Sequence, residues 1–113
     1  MKIFDLNLSP SPFSKIKRGL KEIEMRLATP ARKEIKIGDH IRFTRNDTGE
    51  SISVEVISLK EFPSFKELYE FYPKNKLGYL DKEEANYKDM YQYYSIEDIS
   101  KYGVLAIGIK NLE

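Results

Sequence analysis

The sequence predicts a single α+β domain, residues 1–113, built as a small mixed β-barrel flanked by short helices. Short segments of alternating apolar and polar residues recur along the chain, as in strands that bury one face. Segments with helix-capping signals lie among them, and the connections are too short for a regular series of parallel strands joined by helices. A length of 113 residues suits one core rather than two.

The first strand and the first helix are predicted near the amino terminus. Three apolar residues alternate imperfectly with polar ones in "KIFDLNL", namely Ile3, Leu6 and Leu8. In the following "SPSPFSKIKRG", Ser11 is expected to cap a short helix that has Pro12 at its first position and Gly19 just past its end. A new element therefore begins after Gly19.

The stretch "LKEIEMRLA" is predicted to be the second strand. A period of two separates an apolar face from a charged face, with Ile23, Met25 and Leu27 on the first and Glu22, Glu24 and Arg26 on the second. A helix continuing through the stretch would pair Glu22 with Arg26 four residues later. It would also separate Glu24 from Arg26, whereas a strand places both on one face, and we favour the strand.

A hairpin is predicted next, after a proline-containing turn. The Gly38-Asp39 turn leads into a strand through Ile41 and Phe43, and "NDTGE" supplies the hairpin turn. The returning strand, "SISVEVISL", alternates three apolar residues with polar ones: Ile52, Val54 and Val56.

Two helices and a last strand complete the prediction. Ser64 caps "FKELYEFY", which Pro73 ends, and "KEEANYKDMYQYY" has helical spacing at Tyr87, Met90, Tyr91 and Tyr94. The nearly apolar "YGVLAIGIKNL" is typical of a strand at the centre of a sheet or barrel. One core is expected to join two helix residues, Phe13 and Leu68, to strand residues Ile23, Met25, Leu27, Ile41, Phe43, Val54, Val56, Leu105 and Ile107.

Composition excludes several classes of protein. The chain has 41% hydrophobic and 33% charged residues, no apolar run long enough to cross a bilayer and no basic-then-apolar leader, so we expect a cytoplasmic protein without membrane contact. Without cysteine there is no disulfide, thiolate nucleophile or thiolate-bound zinc, and neither a metal nor a cofactor is expected.

Charge is distributed unevenly along the chain. Residues 1–45 hold 11 Lys/Arg against 5 Asp/Glu, and residues 46–113 hold 8 Lys/Arg against 13 Asp/Glu. The first part could therefore attract an anion.

The strand-borne charges Lys21, Glu24 and Arg26 are the first candidates for a site. Lys21 or Arg26 could bind a phosphate while Glu24 accepts a hydrogen bond from a base amino group. The same set could hydrolyse a substrate if burial lowered the pKa of Lys21 enough to make it a base, with Glu24 relaying protons and Arg26 holding an anion. The alternative without function is a surface salt bridge contributing about 0–1 kcal/mol.

Tyrosines form a second group of candidates, because all eight lie between Tyr69 and Tyr102. Bases of single-stranded nucleic acid stack on such rings. Tyr79 lies in the glycine-containing loop "KNKLGYL" beside Lys74 and Lys76, where we expect an exposed ring suited to ligand contact. Helical spacing predicts instead that three others pack in the core: Tyr87, Tyr91 and Tyr94.

Two further features are weaker candidates. Arg32, Lys33 and Lys36 form a basic loop that is simply solvated in the plainest interpretation, although its closeness in sequence to Lys21 allows it to steer a phosphate. His40 is the only histidine and has no serine, cysteine or second histidine motif near it, so we expect no catalytic triad.

The segment "GLKEIEMR" resembles the G-x-K-x-x-E-x-R signature of ASCH domains, the PUA-like proteins associated with RNA. All four signature positions match, at Gly19, Lys21, Glu24 and Arg26. The preceding helix and the segments "KIGDHIRF", "FKELY" and "YGVLAIGI" are similar to the family's layout over nearly the whole chain. The resemblance implies a PUA-like barrel in which Lys21, Glu24 and Arg26 line a cleft between the barrel and its helices.

The resemblance leaves two main classes of function open. The first, which we favour, is a module that binds RNA or a modified nucleotide through six residues: Lys21, Glu24, Arg26, Arg32, Lys33 and Tyr79. The second is a small hydrolase with Lys21 and Glu24 as catalytic residues, since one ASCH branch removes acetyl from N4-acetylcytidine and another is reported as a ribonuclease. A weaker third option is protein association through the acidic, tyrosine-rich half.

One departure from the amidohydrolase branch bears on that choice. The branch carries Thr where this chain has Glu24, and its catalytic glutamate comes from the middle of the chain. Four residues here are candidates for that position: Glu67, Glu70, Glu83 and Glu84. We therefore expect weak or absent deacetylation, because a carboxylate would crowd and charge the space of a small hydroxyl.

Overall fold

A computed structural model describes all 113 residues, Met1–Glu113. The strands are β1 Ile3–Leu8, β2 Ile23–Leu27, β3 His40–Arg45, β4 Ser51–Phe62 and β5 Val104–Asn111. The α-helices are α1 Pro10–Lys17, α2 Phe65–Phe71 and α3 Ile96–Tyr102, and short 3-10 turns cover Arg32–Glu34, Lys74–Leu77 and Tyr87–Gln92. None of the helices is long and apolar enough to cross a membrane.

The five strands form one curled sheet, a half-barrel, in the order β1-β3-β4-β5-β2. β1 and β3 are parallel, and the other neighbours are antiparallel. An irregularity between Val56 and Ser58 shifts the register of β4 against β5, which bends this long strand. The predicted class, a mixed α+β barrel with short helices, is confirmed, with β1 and β2 at the two free edges.

The first helix follows the prediction with a shifted start. It begins at Pro10 after Ser9, two residues before the expected position, and prolines occupy its first turn. It ends at Lys17, and Gly19 has a φ of +75°, a conformation that glycine adopts without steric cost. The segment after Gly19 is therefore released from the helix and forms β2, as predicted.

The predicted long helix in "KEEANYKDMYQYY" is wrong. Only a 3-10 turn forms there, Tyr87–Gln92, in which Met90 is buried and Tyr91 is 41% exposed. A 3-10 helix places residues at other angles than an α-helix does, so Tyr91 does not join the expected stripe. Tyr87 and Tyr94 are partly buried against the same core as Met90, as predicted. Helix α3 was not predicted. It begins after Ser95, whose side chain accepts a hydrogen bond from the Asp98 amide.

The prediction of a single core is also wrong, because the sheet buries apolar side chains on both faces. The first core contains Leu6, Leu8, Phe13, Ile16, Ala28, Ile35, Ile41, Phe43, Ile52, Val54, Val56, Leu105, Ile107 and Ile109. The second core contains Ile23, Met25, Leu27, Phe65, Leu68, Leu77, Met90, Ile99, Val104 and Ala106. β5 contributes residues to both cores, since successive residues of a strand point to opposite faces of the sheet.

Candidate functional site

Glu24 and Arg26 lie on a strand that is covered on both faces. In the antiparallel pairing of β2 with β5, Glu24 stands opposite Ile107 and Arg26 opposite Leu105. Directly paired residues share a face of the sheet, so both charged side chains stand on the face of the first core. The apolar residue between them, Met25, packs in the second core.

Lys21, Glu24 and Arg26 form one cluster, which we call the Lys21 cluster. The Lys21 Nζ lies 3.6 Å from Glu24 Oε1, and the Arg26 Nε donates to Glu24 Oε2 at 2.9 Å. The side chains are only 10%, 4% and 14% exposed, respectively. A surface salt bridge therefore does not describe this cluster, because its charges are largely removed from water.

Both oxygens of the Glu24 carboxylate are engaged within the protein. Oε1 accepts from the Met25 amide at 3.1 Å and faces Lys21, while Oε2 faces both the Nε and the Nη2 of Arg26. Each carboxylate oxygen therefore accepts one hydrogen bond and faces a cation, which leaves part of its acceptor capacity unused. Glu24 therefore orients the two cations, which keep N–H groups free for a ligand.

Arg26 also joins the two edges of the half-barrel. Its Nη2 donates to the backbone carbonyl of Asn7 on β1 at 2.8 Å. β1 and β2 share no backbone hydrogen bonds, because each is an edge strand of the sheet. The guanidinium therefore bridges the opening between these edges and holds the Lys21 cluster against β1.

The burial of Lys21 changes its acidity. Burial lowers the pKa of Lys21 below its ordinary value of 10.5, attraction to Glu24 raises it, and repulsion from Arg26 lowers it further. A lysine with a lowered pKa releases its proton more readily than a surface lysine. Lys21 can therefore serve as a cation for an anionic ligand or as a base at higher pH.

Two adjoining cavities of about 190 and 110 Å³ open beside the Lys21 cluster and together form a cleft. Their shared lining is Pro12, Lys21, Met25, Met90 and Tyr93. The larger cavity also contacts Lys15, Tyr69, Tyr79 and Asp89, and the smaller one Asn7, Glu24, Arg26 and Tyr94. The cluster thus faces a concave space between α1, β2 and the Tyr87–Gln92 turn.

Tyr79 lies in the wall of the larger cavity, and the expectation of an exposed ring is wrong. Its hydroxyl donates to Asp89 Oδ2 at 2.7 Å and lies 2.9 Å from the Tyr69 hydroxyl. Burial raises the pKa of Tyr79, and the hydrogen bonds with Tyr69 and Asp89 act in the same direction. The Lys74 ammonium binds the backbone carbonyls of Asp81 and Glu83. Tyr79 therefore lines the cavity with its hydroxyl held in place by Tyr69 and Asp89.

The basic residues after β2 lie outside the cleft. Arg32 and Lys33 belong to the Arg32–Glu34 turn and line neither cavity, and Lys33 lies 3.6 Å from Glu61. Burial raises the pKa of Tyr94, the positive charge of Arg26 lowers it, the negative charge of Glu24 raises it, and the positive charge of Arg32 lowers it. These cations can steer a ligand from nearby, as a solvated loop would.

None of the four mid-chain glutamates lines the cleft: Glu67, Glu70, Glu83 and Glu84. Glu67 is hydrogen-bonded to Ser64, the residue that precedes α2. Glu83 accepts from the Leu80 amide and lies 3.5 Å from Lys15 Nζ. The carboxylates that do line the cavities are Glu24 and Asp89.

Comparison with known proteins identifies the family. Residues 6–113 match the family model of the ASCH domain. This chain belongs to the ASCH domain family. ASCH domains have a PUA-like fold and are linked to RNA binding.

Solved structures agree with the ASCH assignment. The crystal structure of hypothetical protein PH0355 is 33% identical, with a TM-score of 0.84 over 99% of this chain and 100% of that one. The solution structure of protein PF0455 from Pyrococcus furiosus is 30% identical, with a TM-score of 0.75 over 100% and 99%. A ZmASCH mutant protein from Zymomonas mobilis is 14% identical, with a TM-score of 0.67 over 96% and 67%, and shares the fold. No curated protein matches the chain.

Sequence reasoning missed several residues of the ASCH domain's cleft. Tyr93 lines both cavities and is 48% exposed, which makes its ring better placed for stacking than Tyr79. Lys15 and Asp89 line the larger cavity. The available signal for Tyr93 was its position outside the helical spacing of the neighbouring tyrosines. No group of three or more His, Cys, Asp or Glu residues could hold a metal ion.

Gly78 supports the aliphatic part of Lys21. Its φ is +99°, and a Cβ at this position would lie 3.2 Å from the Cβ and Cδ of Lys21. The same loop is tied to the start of β2, because the Glu22 amide donates to the Lys76 carbonyl at 2.9 Å. The conformation and the close approach both require glycine here.

Replacing Gly78 with alanine should therefore displace Lys21 as well as strain the backbone. We expect the left-handed conformation to cost about 1–2 kcal/mol of unfolding free energy, with a further loss from the close contact between the added methyl group and Lys21. Denaturant unfolding of Gly78→Ala and Gly49→Ala measures this, because Gly49 has a φ of +78° and no atom within 4 Å of an added Cβ. Equal losses of unfolding free energy in the two variants would show that the Lys21 side chain moves away from the added methyl group without cost.

Proposed function

We propose that this ASCH domain binds RNA or a modified nucleotide, with one unpaired base entering the cleft beside the Lys21 cluster. The observation that carries the proposal is a buried set of charges at a concave site, since buried charges are rare unless they are paired or functional. The family's link to RNA binding supports the same class of ligand.

The contacts of the Lys21 cluster indicate how it would serve a ligand. Lys21 has three N–H donors and Arg26 has five, and their contacts with Glu24 and Asn7 use only some of them. The remaining donors suit phosphate oxygens or the acceptor atoms of a base. Glu24 then positions the donors rather than reading the base, and the exposed ring of Tyr93 offers a stacking surface.

The size of the cleft favours a small part of a nucleic acid. Ligand pockets commonly measure about 300–1,000 Å³, and the two cavities of about 190 and 110 Å³ reach only the lower end together. This space suits one splayed base or nucleoside and excludes a duplex. Single-stranded segments, whose bases can turn out of the stack, are accordingly the preferred target.

Binding of single-stranded RNA should weaken as salt rises. Each phosphate neutralised by a lysine or arginine contributes about −0.7 to the slope of log affinity against log salt concentration. Fluorescence anisotropy with a labelled RNA at several salt concentrations measures this slope, with a nucleoside lacking phosphate as the control. An affinity that stays constant as salt rises would contradict a cationic binding surface.

A small hydrolase is the second candidate, and the lowered pKa of Lys21 beside a cavity favours it. The substrate would be N4-acetylcytidine or RNA. Against it, no mid-chain glutamate lines the cleft, and each oxygen of Glu24 already accepts a hydrogen bond within the protein. We expect little or no product when the protein is incubated with either substrate. Clear turnover by the wild type that is lost in Lys21→Met would show that the protein is a hydrolase and not a binding module.

A further inference from the structure

The far end of β4 carries a second basic surface that shares no lining residue with the cleft. Lys33, Lys36 and Lys60 line a groove of about 220 Å³, which we call the β4-end groove. Its one carboxylate, Glu61, lies 3.6 Å from Lys33, and both side chains are about half exposed. The groove therefore keeps a positive charge that its own residues do not neutralise.

Aromatic rings lie beside this groove. Phe71, at the end of α2, is 58% exposed, and its ring centroid lies 5.5 Å from that of Phe62 and 4.8 Å from that of Tyr72. The Lys60 ammonium lies 5.0 Å from the centroid of Phe71 and 5.6 Å from that of Phe62. Exposed rings among lysines are typical of surfaces that bind single-stranded nucleic acid, because bases stack on the rings and phosphates contact the cations.

Cations of the segment after β2 lie between the cleft and the groove in the order of the chain. Arg26, on β2, lines the smaller cavity, and Arg32 begins the short turn that follows β2 along the chain. Lys33 follows Arg32 in the same turn and lies in the β4-end groove. The turn after β2 therefore carries cations between a residue that lines the cleft and a residue that lines the groove.

We propose that the β4-end groove and Phe71 bind the nucleotides that flank the base in the cleft. Lys33, Lys36 and Lys60 would contact successive phosphates, and Phe71 would stack one base. The inference rests on the proposed function and narrows its ligand from a free nucleotide to a single strand of RNA. An acidic protein segment would also match the charge, but the rings interleaved with lysines favour nucleic acid.

The test compares one short and one long ligand. Cytidine monophosphate reaches only the cleft, whereas an unstructured RNA of about ten nucleotides has the length to reach both surfaces. Phe71→Ala should weaken binding of the RNA at least about fivefold. Lys60→Ala should reduce its salt slope by about 0.7. Both variants should bind cytidine monophosphate like the wild type.

Two variants serve as controls. Lys17→Ala removes a partly exposed lysine that pairs with Glu50 near the opposite end of β4, and it should leave binding of the RNA unchanged. Phe71→Leu keeps an apolar side chain but lacks a ring face, and it should weaken RNA binding as Phe71→Ala does. Circular dichroism of each variant checks that it is folded.

The outcomes separate this inference from the function on which it rests. If the RNA binds no more tightly than cytidine monophosphate, or if Lys60→Ala and Phe71→Ala match the wild type, the groove is not part of the RNA site and the cleft alone binds nucleotides. If Phe71→Leu binds the RNA normally where Phe71→Ala does not, the contact is apolar and no base stacks on Phe71, which overturns that part of the inference. If neither ligand binds, the proposed function fails too.

Discussion

Replacing Lys21 with methionine should sharply reduce nucleotide binding while leaving the protein folded. Methionine retains the apolar stem that packs against Gly78 but removes the charge and all three donors. The expected loss of binding free energy is on the order of 1–3 kcal/mol, as for one charge-assisted hydrogen bond. Isothermal titration with cytidine monophosphate measures it, and Lys17→Met is the control for loss of a lysine elsewhere. Unchanged affinity would place the binding site away from the cleft.

The pH dependence should show which role Lys21 has. Because burial lowers its pKa below 10.5, Lys21 loses its proton before the surface lysines do as pH rises. If Lys21 binds phosphate, affinity should fall over that pH range, since only the protonated form attracts an anion. If Lys21 is a base, turnover should instead rise over the same range. Lys21→Met should show neither change.

Removing the charge of Glu24 should have the largest effect on stability. Glu24→Leu leaves Lys21 and Arg26 buried beside each other without their shared anion, and breaking such a pair costs about 3–5 kcal/mol. Denaturant unfolding measures the loss. Asp5→Leu is the matched control, because Asp5 pairs with Arg42 on the exposed surface and should contribute little.

A second substitution tests this explanation. In a Lys21→Met background one of the two cations is already absent, so Glu24→Leu should destabilise the protein less than it does in the wild type. A double-mutant cycle over the two changes gives the coupling directly. Additive losses would mean that Glu24 stabilises β2 by some other contact, such as its hydrogen bond from the Met25 amide.

The sequence predicted the strands well because their signal is local. Alternation of apolar residues and the glycine turns at Gly19 and Gly38 do not depend on distant parts of the chain. The segment at Tyr87–Gln92 failed for the opposite reason. There the hydrogen bond between Tyr79 and Asp89 and the burial of Met90 in the second core compete with helical spacing, and both depend on tertiary contacts. Ser95, followed by Glu97 and Asp98, was a capping signal for α3 that was not used.

The sequence predicted which charged residues form the candidate site but not that their side chains are buried. Strand periodicity placed Glu24 and Arg26 on one face. It could not show that the face with Glu24 and Arg26 is buried. That burial depends on the pairing of β2 with β5, which brings β2 into the sheet between the two cores. For the same reason the sequence could not assign Tyr93 or Asp89 to the cleft, since the Tyr87–Gln92 turn, which contains Asp89 and precedes Tyr93, is positioned by contacts with distant segments.

The position of β5 sets the order in which the protein can become functional during synthesis. β2 leaves the ribosome early, but its only partner in the sheet is β5, which is made after every other strand. Until then Glu24 and Arg26 lie on an unpaired segment, and pairings between distant segments form slowly. A nascent chain therefore exposes its lysines and arginines without the assembled cleft. The proposed recognition of a base would begin only after the chain has been made through Asn111.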